Sequence, residues 1–190
     1  MKTVHTSKSA SIGVRMGQFL YEDGKYNDSE KLLRQAVGIY ISISGTEDFE
    51  TLSAMYALAR TYHVQGRNAD AARIQEDVLE KERRILGEEH PETLSAMHAL
   101  AVTYQVQGRN ADAARIQEDV LEKSRGILGE EHPHTLTAMH ALALTYQAQG
   151  RNADAARIQE EVLEKRRRIL GEEHPDTLAA MHNLAESKGK

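Results

Sequence analysis

The sequence predicts an all-α fold built from tandem helix pairs, and three observations carry that expectation. The string Gly-Glu-Glu-His-Pro occurs three times, and its prolines, Pro91, Pro133 and Pro175, are the three prolines of the chain and stand 42 residues apart. Between them, apolar residues recur at steps of three and four, the spacing of one helix face. Glycines such as Gly66 and Gly87 fall where one apolar run stops and the next begins, as at helix C-termini. A fixed period of this length is the mark of a repeat architecture.

The elements follow in order. Residues 1–8 precede the array and are expected to be disordered. Residues 9–50 form a diverged copy, since Gly24, Asp28 and Gly45 each stand 42 residues before Gly66, Asp70 and Gly87. Within it, Gly38 and the run Ile39 to Ser44 would suit a strand in isolation. Register with the later copies predicts a helix there. Residues 51–92, 93–134 and 135–176 align without a gap; the first two differ at six positions and the last two at seven. Residues 177–190 supply a half-unit, one helix and a tail.

In 51–92, Leu52, Met55, Leu58, Ala59 and Tyr62 make the stripe of a first helix that Gly66 stops. Asn68 reads as the N-cap of the second helix. Ala71, Ile74, Val78, Ile85 and Leu86 line one side of it, and Arg73, Glu76, Asp77, Glu80, Lys81 and Arg84 form a solvated face of charge pairs. Gly87 ends it. Proline then opens the next first helix, where a missing N–H costs nothing, and Glu92 or Asp176 suits the helix dipole. Gly126 inside the second helix of 93–134 costs about 1 kcal/mol relative to Ala, which predicts a frayed end.

Composition narrows the function classes. The chain has 190 residues, 40% hydrophobic and 28% charged, enough apolar material for a packed interior. A net charge of -5, 5% aromatics and no Trp argue against a nucleic-acid partner. The absence of Cys excludes disulfides and thiolate chemistry and makes the cytoplasm the default compartment. No apolar run approaches the ~20 residues that span a bilayer, and no apolar core follows Lys2 and Lys8 as in a secretory signal, so no membrane partner is expected. No phosphate loop, Gly-x-Ser-x-Gly or His-Glu-x-x-His stands in the chain, so the reading is non-catalytic, without cofactor or metal. The paired carboxylates Glu88-Glu89, Glu130-Glu131 and Glu172-Glu173 recur in every linker and read as a solvated edge.

The residues Met55, Leu58-Ala59, Tyr62, Gly66 and Ala71 recur as Met97, Leu100-Ala101, Tyr104, Gly108 and Ala113, and as Met139, Leu142-Ala143, Tyr146, Gly150 and Ala155. This resembles the tetratricopeptide repeat, with small residues at the helix crossing and Tyr between units. The 42-residue period with Ile-Leu-Gly-Glu-Glu-His-Pro resembles the kinesin-light-chain type, also common in C-terminal arrays of NLR-like (NACHT or NB-ARC) proteins. The resemblance covers residues 9–186 and implies a right-handed superhelical solenoid. Two departures stand out. Gln75, Gln117 and Gln159 take a place where shorter repeats carry an aromatic. Ala57, Ala99 and Ala141 stand where the light-chain family often has paired Asn, of which Asn183 remains.

The resemblance implies that the first helix of each pair lines a concave groove. The copies differ along those helices at Tyr56/His98/His140/His182, Arg60/Val102/Leu144 and His63/Gln105/Gln147, away from the Leu-Ala-Tyr stripe. Two readings stand: drift of a solvated surface, or a groove tuned to a partner. The second gives a non-catalytic module holding a protein or peptide ligand through Tyr56, Arg60, His63, His98, Val102, Gln105, His140, Leu144, Gln147, His182 and Asn183. A shared metal among His98, His140 and His182 is disfavoured, because packed helices lie ~8–10 Å apart and zinc ligands sit about 2 Å from the ion. His90, His132 and His174 read as linker or capping residues. Alternative readings are a ligand-sensing or autoinhibitory fragment of an NLR-like ATPase, and end-to-end self-association through Leu178, Met181 and Leu184.

Overall fold

The computed structural model describes residues 6–188. Among these residues there are nine α-helices and no strand: α1 Ser7–Glu22, α2 Tyr26–Ser44, α3 Phe49–Val64, α4 Asn68–Leu86, α5 Pro91–Val106, α6 Asn110–Leu128, α7 Pro133–Ala148, α8 Asn152–Leu170 and α9 Pro175–Lys188. They fall into two compact units, one up to Ala96 and one from Met97, with the boundary inside α5.

In the first unit, α1 begins earlier than the sequence suggested. Thr6 and Ser9 form a capping box: Thr6 Oγ1 accepts from the Ser9 amide at 3.3 Å, and Ser9 Oγ accepts from the Thr6 amide at 3.1 Å. Ser7 and Lys8, expected to be disordered, are therefore helical; residues 1–5 lie outside the described residues. α2 is helical throughout, including the strand-like run, because Leu33, Ala36 and Tyr40 fall on one buried face. Gly17 makes the α1–α2 approach possible. A Cβ there would stand 2.7 Å from Cγ of Leu33, and the Gly17 carbonyl accepts from Ser29 Oγ at 2.7 Å.

The turn between helices of a pair is short and self-satisfied. Gly66 has φ +75°. Its amide donates to His63 O, and the Arg67 amide donates to Tyr62 O at 2.9 Å, so the last carbonyls of α3 are used. This turn corrects one expectation. Asn68 is the first residue of α4 rather than its cap; Arg67 takes the cap position and makes no capping hydrogen bond. Arg67 instead lies 4.0 Å over the Tyr62 ring and pairs with Asp70 at 2.7 Å. In the second unit Arg109 and Arg151 lie 3.7 Å over Tyr104 and Tyr146.

The linkers between pairs are held by side chains that the repeat keeps constant. Nδ1 of His90, His132 and His174 accepts from the amide two residues on, at 3.2 Å each, which makes the three histidines caps, as read from the sequence. Thr51, Thr93 and Thr135 each donate at 2.8 Å to the carbonyl of the glycine that closes the preceding helix, Gly45, Gly87 and Gly129. In the second unit Met97 and Met139 are fully buried, with Ala101, Ala113, Ala143 and Ala155 at the crossings. α6 runs unbroken through Gly126 to Leu128, so the fray expected there does not occur. The helix continues because a glycine near its end forfeits little cooperative hydrogen bonding.

Candidate functional site

The sequence-derived candidates all lie on first helices: Tyr56, Arg60 and His63 on α3, His98, Val102 and Gln105 on α5, His140, Leu144 and Gln147 on α7, His182 and Asn183 on α9. None is fully buried. Arg60, Leu144 and His182 are exposed, and the others are half-buried. The invariant residues beside them, such as Leu58, Leu100 and Leu142, are buried. Variation between copies therefore follows accessibility on these helices.

Their surroundings differ. In the first unit the Arg60 guanidinium lies 4.9 Å over the Tyr21 ring of α1, so part of its bonding capacity is used within the unit. In the second unit two of the glutamines are consumed by packing. Gln105 Nε2 donates to Thr145 Oγ1, which donates in turn to Gln117 Oε1. One pair further, Gln147 Nε2 donates to Ser187 Oγ at 2.6 Å, and Ser187 Oγ donates to Gln159 Oε1. The amides of Gln105 and Gln147 thus tie neighbouring first helices to a buried glutamine of the second helix. His98, Val102, His140, Leu144, His182 and Asn183 are the open or partly open candidate side chains of the second unit. Burial holds the His98 and His140 imidazoles below the ordinary value of 6.5, and Arg166 adds to the effect at His140. Both rings are neutral at pH 7 and present apolar edges with one donor each.

The sequence reading missed a pocket of about 140 Å³ in the first unit, between the start of α3, the end of α4 and the start of α5. Phe49, Leu52, Tyr56, Ile85 and Leu86 supply its apolar wall. Glu82 faces it with Oε2 buried and without a hydrogen-bond partner. Burial, and then the nearby Glu92 carboxylate, push the Glu82 carboxyl up to about 7. The one signal of it in the sequence is that Glu82 becomes Ser124 and Arg166 in the later copies. Among the described residues no group of three His, Asp or Glu is placed to hold a metal ion, and no helix is long and apolar enough to cross a membrane.

Residues 8–81 match one sequence profile described as tetratricopeptide repeat, and residues 93–134 and 135–176 each match another of the same description. The chain belongs to the tetratricopeptide repeat family. The all-α repeat fold expected from the sequence is thereby shown. Among solved structures, the nearly identical TPR-like repeats of a kinesin-light-chain candidate from Podosopora anserina are 29% identical, with a TM-score of 0.88 over 100% of this chain and 88% of that one. BtubC (BKLC) from P. vanneervenii is 18% identical, with a TM-score of 0.80 over 96% of this chain and 80% of that one, and shows the shared fold. MamA from Desulfovibrio magneticus RS-1, 11% identical, has a TM-score of 0.61 over 95% of this chain and 94% of that one. No curated protein sequence matches the chain. In fold, the tetratricopeptide repeats here thus match the kinesin-light-chain-like repeats.

Proposed function

We propose that this tetratricopeptide array is a non-catalytic protein-interaction module that holds a peptide or helix of a partner against the first helices of its pairs. One observation supports the reading most. In copies that are nearly identical elsewhere, the first-helix substitutions sit at accessible positions such as Arg60, Val102 and Leu144, while the packing stripe beside them is unchanged. In the second unit, Val102 and the 43% exposed Leu144 offer apolar contact. The neutral His98 and His140 rings and Asn183 add donors that fix a backbone or side chain, the usual composition of a recognition surface.

The test uses a random 12-residue peptide library displayed on phage and selected on the whole chain. Peptides enriched on the wild type are then measured against a Val102→Asp, Leu144→Asp double variant. Both positions tolerate polarity without loss of core, so helicity should be unchanged. Binding should fall at least about tenfold, the order expected when apolar contacts at a hot spot are replaced by charge. Equal binding by the double variant would reject this surface as the site.

A further inference from the structure

The residues that line the pocket of the first unit have equivalents 84 positions later in the chain, and the difference between the two sets says what the pocket takes. At both places an arginine at the end of the second helix pairs with a linker glutamate, Arg84 with Glu47 and Arg168 with Glu131. At both places an acidic residue opens the next first helix, Glu92 and Asp176. In the copy 135–176 the position of Glu82 is Arg166. Its guanidinium donates to Asp176 O at 2.9 Å and lies close enough to His140 to affect its titration. That corner carries its own cation. In the first unit the corner carries a second carboxyl, Glu82, beside Glu92, and the 65% exposed Phe49 adds an aromatic wall where the copy has Pro133; Ile85 and Ile169 are equally open, at 46% and 45%. The nearby cation, Arg84, is paired with Glu47, and among the described residues none forms an ion pair with Glu82, which is governed by burial and by Glu92.

We infer that this pocket receives an arginine side chain of a bound partner peptide, its methylene stem against Phe49, Ile85 and Leu86 and its guanidinium between Glu82 and Glu92. The inference rests on the interaction-module reading and specifies the chemistry of the partner. A guanidinium suits the site because it is weakly hydrated, planar and able to donate to two carboxylates at once, while its stem covers apolar surface. The Glu82 oxygen without a partner would gain one. The groups facing Glu82 are Tyr56 from α3, the Glu47–Arg84 pair and Glu92 from α5. Glu82 must be ionised to accept a cation, so capture strengthens as pH rises through about 7.

The test is an NMR-detected titration of the whole chain with acetyl-leucyl-argininamide and with its citrulline counterpart, which keeps the shape and loses the charge. At pH 8 the arginine probe should perturb Tyr56, Leu86 and Ala96. Affinity should drop at least about fivefold for the citrulline probe, at pH 5.5, and in Glu82→Arg, the scale of a part-buried charge pair. Glu82→Arg places there the residue that the chain itself carries at Arg166, so folding is retained; Glu82→Gln should give an intermediate loss. Equal binding of the two probes, perturbation confined to other residues, or undiminished binding by Glu82→Arg would overturn the inference. The Val102→Asp, Leu144→Asp variant should bind the arginine probe like the wild type. If library peptides still bind the wild type while the arginine probe does not, only this inference falls.

Discussion

Gln117 and Gln159 stand where shorter tetratricopeptide repeats have an aromatic, and each is 2% exposed. A buried amide is costly unless it is hydrogen-bonded. Here a hydroxyl one pair further on meets the cost at the oxygen, Thr145 for Gln117 and Ser187 for Gln159, while Nε2 of each amide is buried without a partner. Thr145→Val keeps the shape and removes the hydroxyl, which leaves Gln117 and Gln105 without that partner. It should destabilise the protein by about 1–3 kcal/mol, measurable as a lower denaturation midpoint in urea. Titration gives a second residue-scale prediction. The folded Glu82 carboxyl sits at about 7, above its ordinary value of 4.5. The folded state therefore holds this proton more tightly than the unfolded state, and the contribution to stability is full below about pH 4.5 and is lost as pH rises through 7. His98 and His140 act with the opposite sign: their folded values lie below 6.5, so stability declines as pH falls below that value. Glu82→Gln should therefore melt higher than the wild type at pH 8 and show no such gain at pH 4. A constant difference across that range would contradict the burial of Glu82.

At the scale of the element, two glycines inside helices behave oppositely. Gly17 in α1 faces Leu33, whose Cγ would lie 2.7 Å from an added Cβ. Gly17→Ala should cost about 1–3 kcal/mol through overpacking of the α1–α2 hairpin. Gly126 in α6 has open space around it, so Gly126→Ala should stabilise by up to about 1 kcal/mol through helix propensity alone. Thermal melts of the two variants should move in opposite directions. Sequence periodicity places Gly126 inside a helix and marks it as a point of fraying, but says nothing of what either glycine packs against. What separates them is a neighbour on another helix, which no local pattern encodes. The same holds for Asn68. It looked like a cap because Asn favours that position, yet the tight Gly66–Arg67 turn brings the helix start forward by one residue.

For the molecule as a whole, neighbouring helix pairs within each unit cover one another's apolar stripes, so stability there is distributed among adjacent pairs rather than gathered in one centre. The sequence alone determined the family, the period, the order of helix pairs and the buried stripe. A 42-residue repetition under one packing rule prints those features many times over, and each copy confirms the others. It also determined which first-helix positions vary between copies. Tertiary structure decided what those positions are free to do: Gln105 and Gln147 turn inward to bond neighbouring helices, while Val102 and Leu144 stay open. It alone decided that Glu82 is a carboxyl at an apolar pocket rather than one more acid on a solvated helix end. The physical reason is that the ionisation and availability of a side chain depend on what three different helices place around it, and that environment is set by packing in space rather than by order along the chain.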